Sequence, residues 1–329
     1  MDFSPVEREN GSFQQSVTAD QIISMCRRIF GDGAGVVSAD ELGNGMYNNT
    51  YRVDVADVGP VILRVAPEPS RQFGSERELM RSEYASVPFF APIAPLVPRT
   101  LGADFTHEVI GRDFLFQTLL PGRPVPQALG GYDRQLWPSL YRDLGTIAAK
   151  IHAVRGPAFG SIRNPQFARW SDAFVALLDG LAADVDSVGL DSADIRQVAS
   201  IAGKQQAVLD EITEPRLLHG DLWTVNVMLV EDAPQPTITG VFDNDRTLWG
   251  DPAADWTIRM AAKKPGTERD AFWETYGAPS TTPGAAIRSL FYEARHVAAI
   301  RLERHRLGKT EDVPETYGQM RDIIEKFHA

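Results

Sequence analysis

The stretch from Leu217 to Trp256 carries side chains that can handle phosphate and metal. It reads Leu217-Leu218-His219-Gly220-Asp221, reaches Asn226 five residues later, and continues through Val241-Phe242-Asp243-Asn244-Asp245 to Gly250-Asp251 and Asp255-Trp256. Two carboxylates and an amide oxygen in one place form a hard-oxygen site. Such a site suits Mg²⁺, which takes one or two carboxylates together with phosphate oxygens and water. A carboxylate that is not a ligand can accept the proton of a hydroxyl nucleophile.

Local structure is expected to bring these groups together. Val227 to Val230 and Ile238 to Phe242 are short apolar runs. The connection between them carries Pro234 and Pro236 and no helix signal, which predicts an antiparallel hairpin. The start of the first strand then lies beside the end of the second, so Asn226 meets Asp243 at one mouth. Asp221 lies on the loop leading into the same hairpin.

Earlier in the chain, Thr18 to Phe30 has helical apolar spacing through Ile22, Ile23, Cys26 and Ile29. Residues 1–17 read as a tail or a loose first turn. Three strands are predicted at Val36–Leu42, Thr50–Val55 and Val61–Val65, with Gly43 to Asn49 joining the first two and a Gly59-Pro60 turn joining the second and third. Ser75 to Ser86 reads as a helix. Ala85 to Pro98 holds Pro88, Pro92, Pro95 and Pro98, which predicts an extended connection. Phe114 to Leu119 is a further strand. Helical patterns then cover Trp137–Val154, residues 168–185 and residues 193–213. The change from strand-rich to helical character places a lobe boundary near Leu119–Gly122.

Composition bounds the class. The 329 residues carry 33 Lys+Arg against 44 Asp+Glu, a net charge of −11, and 43% are hydrophobic. Length predicts about two folded units of the usual ~150 residues each. Wholesale disorder is excluded, and the acidic balance argues against a general nucleic-acid binder. The single cysteine, Cys26, makes neither an intrachain disulfide nor a Cys-based zinc site, which fits a reducing cytoplasm. The N-terminal residues do not resemble a signal peptide, and no apolar run approaches the ~18 residues of a membrane span.

Asp221-x-x-x-x-Asn226 has the catalytic-loop spacing of protein kinases, with Gly220 in place of the usual Arg. His219-Gly220-Asp221-Leu222-x-x-x-Asn226, followed by Val241-Phe242-Asp243 and Gly250-Asp251-Pro252-x-x-Asp255, resembles the aminoglycoside phosphotransferase family. That family also includes choline, homoserine and fructosamine kinases and macrolide phosphotransferases. The resemblance covers roughly residues 35–260. It implies an α+β, bilobal, protein-kinase-like fold with a small β-rich nucleotide lobe over 18–118. A larger, mainly helical catalytic and acceptor lobe would span 119–329. It implies transfer of the γ-phosphate of ATP or GTP to a small-molecule hydroxyl with Mg²⁺. In this reading Asp221 orients or deprotonates the hydroxyl, Asn226 and Asp243 hold the metal, and His219, Asp251 and Asp255 brace the loops. Gly43, Gly45 and Asn48 belong to a nucleotide-covering hairpin whose glycines let loop amides approach phosphate. Arg64 replaces the strand lysine of protein kinases and can still meet phosphate. Glu83, with Glu76 and Glu78 as alternatives, pairs with Arg64. Gln117 and Leu119 fall on the interlobe linker that meets the base. The chain is a monomer or homodimer, with no nucleic-acid or membrane partner.

The acceptor should be read by the helical region after Asp243. Between Trp256 and Thr310 there are ten Lys/Arg and five Asp/Glu, against the acidic balance of the whole chain. A pocket for a polycation would gather carboxylates. The expectation is therefore a neutral or anionic acceptor, such as a macrolide or nucleoside-type antibiotic, rather than an aminoglycoside. Candidate pocket residues are Asp245, Trp256, Arg259, Tyr292, Arg295 and His296. Asp245 sits in the pocket or pairs with Arg246. His152 is read as structural, and no His/Cys spacing fits zinc. Two other readings stay open: a metabolic kinase of choline, homoserine or fructosamine type, and an inactive nucleotide-binding relative.

Overall fold

The computed structural model describes residues 1–9, 11–43 and 45–328. The first part is a sheet backed by one helix. Its elements are β1 (Asp2–Ser4), α1 (Ala19–Phe30), β2 (Val36–Leu42), β3 (Asn49–Val55), β4 (Gly59–Val65), α2 (Leu79–Ser86), β5 (Thr100–Asp104) and β6 (Phe114–Thr118). The sheet order is β1-β2-β3-β4-β6-β5. Alternate residues of β3, Tyr51, Val53 and Val55, are buried with Val61, Leu63 and Val65 of β4 and Phe114 and Phe116 of β6. This is the two-residue period of a half-buried strand. Helix α1 covers them with Ile22, Met25 and Cys26. A reciprocal capping box between Thr18 and Gln21 starts that helix.

Three local expectations are corrected. Residues 2–4 are not tail but a strand, paired in parallel with β2. The turn between β3 and β4 is Ala56–Val58, while Gly59 and Pro60 lie inside β4. Pro60 costs no ladder bond towards β6, because that pairing starts only at Val61. The proline-rich connection is not extended. It coils into 3₁₀ turns over Val87–Leu96, broken at Ile93. Three residues per turn stack Phe90 and Ile93 on one face, and both are buried against the second part of the molecule.

That second part continues with β7 (Arg123–Pro124), α3 (Val125–Ala128), α4 (Pro138–His152), β8 (Phe159–Ser161), β9 (Pro165–Phe167), α5 (Trp170–Ser187), α6 (Ala193–Lys204) and α7 (Gln206–Leu209). Then come β10 (Arg216–Leu218), β11 (Val227–Leu229), β12 (Ile238–Val241), β13 (Leu248–Gly250), α8 (Trp256–Ala262), α9 (Ala271–Tyr276), α10 (Pro283–Arg306) and α11 (Val313–Lys326). One core gathers Trp170, Phe174, Phe291 and Tyr292 between α5 and α10. Another packs Leu144 and Ile147 of α4 on Val227, Val241 and Phe272. Helices α4 and α9 cross closely because Gly145 presents no side chain: a Cβ there would lie 2.3 Å from the Phe272 carbonyl oxygen.

Strands β11 and β12 form the expected antiparallel hairpin, with Val227 opposite Val241. Strand β10 pairs with β13. The β10–β11 loop carries Asp221 and the β12–β13 loop carries Asp243, so two short pairings bring both loops to one edge. Among the described residues, no helix is long and apolar enough to cross a membrane.

Candidate active site

Asp221 follows a tight approach of backbones. Gly220 has φ +84°, and a Cβ on it would lie 2.2 Å from the Arg246 carbonyl oxygen. The residue that replaces the kinase arginine is therefore held to glycine by the neighbouring loop. The loop is braced from below by Asp255, whose carboxylate accepts the amide N–H groups of His219 (2.8 Å) and Gly220 (3.0 Å). His152 lies 3.0 Å from the same carboxylate and 2.8 Å from the Tyr276 hydroxyl. Burial opposes the charge on Asp255, but these hydrogen bonds hold it below the usual carboxylate range. Asp255 occupies the cap position of α8 without capping it through its side chain, whereas Asp251 caps the amide of Ala253 at 3.0 Å. His219 is buried and its Nδ1 accepts the Asp221 amide at 3.4 Å; burial lowers its pKa to about 4, so it is neutral.

Asn226 donates its amide N–H to both the backbone oxygen and Oδ2 of Asp221, at 2.9 Å each. That fixes the flip of the amide and turns its Oδ1 away from Asp221. The second carboxylate oxygen of Asp221 accepts no hydrogen bond among the described residues. Burial in the cleft wall and the nearby Asp243 carboxylate push the pKa of Asp221 well above the usual range.

Arg64 sits at the centre of a carboxylate cluster. It meets Glu83 at 2.5 Å, Asp243 by a direct ion pair, and Asp245 at 3.7 Å. Of the three candidate glutamates, Glu83 is thus the partner. Glu78 pairs with Arg163, and Glu76 pairs with Arg246 and Arg306. One oxygen from each of Glu83, Asp243 and Asp245 falls within a 4.8 Å group. Asp243 adopts φ +64°, a left-handed conformation that Asp tolerates better than most residues. Burial and Asp243 raise the pKa of Asp245 to about 8. The hard-oxygen character of the set fits a divalent cation such as Mg²⁺, whose charge would favour the ionised form of Asp245.

Asp245 lies with Asp243 beside Arg64, and Arg246 hydrogen-bonds Glu76 rather than Asp245. The Gln117 side chain donates to Glu83 at 2.9 Å, holding the partner of Arg64. Leu119 is 39% exposed just past the end of β6. Tyr292 is a core residue: it is 3% exposed, its hydroxyl donates to Asp251 at 2.6 Å, and it accepts the Trp170 indole N–H at 2.9 Å. A Cβ at Gly45 would crowd the Asn48 carbonyl oxygen at 3.3 Å, and one at Gly43 would touch Val6 at 3.4 Å. Asn44 between them lies outside the described residues. Asn48 is buried, and its side-chain oxygen has no partner among the described residues.

Trp256, Arg259 and His296 meet, and Arg295 precedes His296 on α10. His296 meets the Trp256 ring at 5.1 Å, and the Arg259 guanidinium lies 4.9 Å over that ring. Trp223, two residues past Asp221, stands edge-on to Trp256 at 6.3 Å. Sequence reasoning misses the contact of Trp223 with Trp256; its only signal is its place two positions after Asp221. The cationic excess between Trp256 and Thr310 is largely absorbed by structural pairs. Arg288 pairs with Glu211, Arg301 with Asp194, Arg304 with Glu315 and Arg306 with Glu76, all acids outside that segment.

A sequence profile of the phosphotransferase enzyme family matches residues 38–290. Among curated proteins there is no match. Solved structures share the fold at low identity. A thermostable mutant of aminoglycoside phosphotransferase APH(4)-Ia in its apo form aligns with TM-score 0.63 and 17% identity, over 91% of this chain and 97% of that one. The GDP complex of a mutant aminoglycoside 2'-phosphotransferase-IIIa aligns with TM-score 0.62 and 14% identity, over 94% and 98%. A putative aminoglycoside phosphotransferase from Ralstonia eutropha JMP134 aligns with TM-score 0.60 and 15% identity, over 94% and 98%.

Proposed function

Because the chain belongs to the phosphotransferase enzyme family, we propose that it moves the γ-phosphate of ATP or GTP onto a hydroxyl of a small neutral or anionic acceptor, inactivating an antibiotic. The observation that carries this reading is the convergence of Asp221, Asn226, Asp243 and Arg64 at the junction of the two lobes.

Each group has a task in such a transfer. The free oxygen of Asp221 takes the hydrogen bond of the acceptor hydroxyl and aims it. Its raised pKa makes it a stronger base for the proton released as the new ester bond forms. Asn226 locks that carboxylate through Oδ2 and, with Asp243 and Asp245, would hold Mg²⁺. When bound, Mg²⁺ neutralises phosphate charge. Arg64, kept charged and oriented by Glu83 and Gln117, provides a fixed cation for the nucleotide phosphates. Catalysis on this plan is positioning plus electrostatic neutralisation. Solved fold neighbours crystallised with ADP and hygromycin B, or with GDP and kanamycin, support a nucleotide donor and a small-molecule acceptor.

The test is a ³¹P NMR and mass-spectrometric screen of antibiotics and common metabolite alcohols with ATP and with GTP, in the presence of Mg²⁺. Asp221→Ala is expected to lower turnover by about 10²–10⁴-fold while nucleotide still binds. Near-wild-type turnover in that variant would overturn the assignment of Asp221.

A further inference from the structure

Four buried N–H or ring-nitrogen atoms in one small region have no hydrogen-bond partner among the described residues: Trp223 Nε1, Trp256 Nε1, His296 Nε2 and Arg259 Nη1. Buried polar groups are nearly always paired, so four orphans gathered around the Trp256 ring call for an explanation. Three of them belong to the Trp223–Trp256–His296 stack, and Arg259 lies over the middle ring. His296 is 4% exposed and, with burial and two arginines nearby, is held well below its usual pKa and neutral.

Arg295 immediately precedes His296 on α10. It is half-buried, and among the described residues it has neither an ion pair nor a hydrogen bond. Other arginines of α10, Arg288, Arg301, Arg304 and Arg306, have carboxylate partners. Burial and the nearby Arg246 charge lower the pKa of Arg295 to about 10, so it remains cationic at neutral pH. Arg246 in turn lies within electrostatic reach of Asp221. A half-buried guanidinium with no ion pair among the described residues, one residue before His296 and its orphan-donor neighbours, is a recognition site for oxygen-rich negative charge.

We propose that Arg295 is the specificity-determining residue of the acceptor site and that the acceptor bears an anionic group, a carboxylate or a phosphate ester, which Arg295 holds. The Trp223 and Trp256 indole N–H groups supply further donors to its oxygens. This rests on the phosphotransferase reading and narrows its acceptor from neutral or anionic to anionic. It sets the chain apart from fold neighbours crystallised with hygromycin B and kanamycin.

The experiment compares wild type, Arg295→Met and Arg295→Lys, each with Mg·AMP-PNP, by thermal shift at constant ionic strength. The probes are D-gluconate, glucose 6-phosphate and neutral glucose. A saturable shift is expected with gluconate or glucose 6-phosphate and none with glucose. Which of the two acts identifies carboxylate or phosphate ester. Arg295→Met should weaken that binding about 10–100-fold, Arg295→Lys should recover part of it, and both should keep wild-type affinity for Mg·AMP-PNP. Equal shifts in wild type and Arg295→Met, or no anion-specific shift in wild type, would overturn the proposal. Failure of all three proteins to bind Mg·AMP-PNP would instead overturn the phosphotransferase reading, while the wild-type against Arg295→Met difference still decides the arginine.

Discussion

His219 shows how a single residue next to the reacting carboxylate is kept out of the chemistry. It is buried, neutral, and turned so that its Nδ1 accepts the Asp221 amide. Its pKa is depressed to about 4 by burial, so the unfolded chain binds a proton on this residue that the folded chain does not. Below the ordinary histidine value near 6.5 the unfolded state therefore gains protons first, and stability falls as pH drops from about 6.5 towards 4. His219→Asn keeps an acceptor oxygen near the Nδ1 position and removes the titrating ring. Denaturant melts from pH 7 to 4 should show a shallower acid-side loss in that variant than in wild type. An unchanged slope would refute the burial argument.

The residues legible from sequence were those whose partners are near in the chain. Asp221, Asn226 and Asp243 are tied by one hairpin and its two flanking loops, so spacing alone predicted their meeting. Asp245 was not legible, because its neighbour is Arg64, on a strand of the other lobe. Tyr292 was misread for the same reason. An aromatic on a helix gives no sign of which face is core until its partners, Asp251 and Trp170, are known.

At the scale of elements, strands β2 to β4 and helices α1 and α4 followed their apolar periods closely, because each buries one face against one layer. Segments ruled by proline or pairing partners did not. β1 has three residues and no pattern of its own, and it exists because β2 offers an edge. The same distinction separates two helical glycines. Gly180 on α5 has nothing within 4 Å of where a Cβ would stand, so Gly180→Ala should gain about 0.4–1 kcal/mol from backbone entropy. Gly145 on α4 faces the Phe272 carbonyl oxygen and Thr275 Oγ1, which a Cβ would approach to 2.3 and 2.4 Å. Gly145→Ala must therefore push α9 away, with a net loss of about 1–3 kcal/mol. Thermal melts of the two variants should move in opposite directions; a shared gain would show that the crossing is loose.

At the scale of the molecule, the two lobes are tied by a buried charge cluster around Glu76. This residue precedes α2 and is 5% exposed. Its carboxylate takes Arg306 from the end of α10 through both oxygens, at 2.7 and 2.8 Å, and Arg246 from the β12–β13 loop at 3.1 Å. The Arg306 guanidinium also faces Phe13, Tyr47 and Phe73 at 5.1–5.5 Å, and the Tyr47 hydroxyl donates to the Glu76 backbone oxygen at 3.2 Å. The N-terminal segment, the loop between β2 and β3, the approach to α2 and the last turn of α10 thus meet at one arginine. A second tie lies nearby, where Asp184 of α5 accepts the amides of Gly74 and Ser75 at 2.7 and 3.1 Å. Neither tie could be read from sequence, since the partners are more than a hundred residues apart. Glu76→Gln keeps the shape but strands Arg306 as a buried charge without a carboxylate. Losing one partner of a buried pair costs about 3–5 kcal/mol, and the half-exposed Arg246 adds little to that. Denaturant unfolding should register this loss. The nucleotide KM should rise with it, because Tyr47 belongs to the loop expected to cover the phosphates and is held by the same cluster. Phe13→Leu, which leaves the carboxylate in place, should change both quantities far less. If Glu76→Gln unfolds at wild-type denaturant concentration, the Glu76 cluster does not hold the lobes together, and the Asp184 tie and the Phe90–Ile93 face of the 3₁₀ segment become the contacts to test.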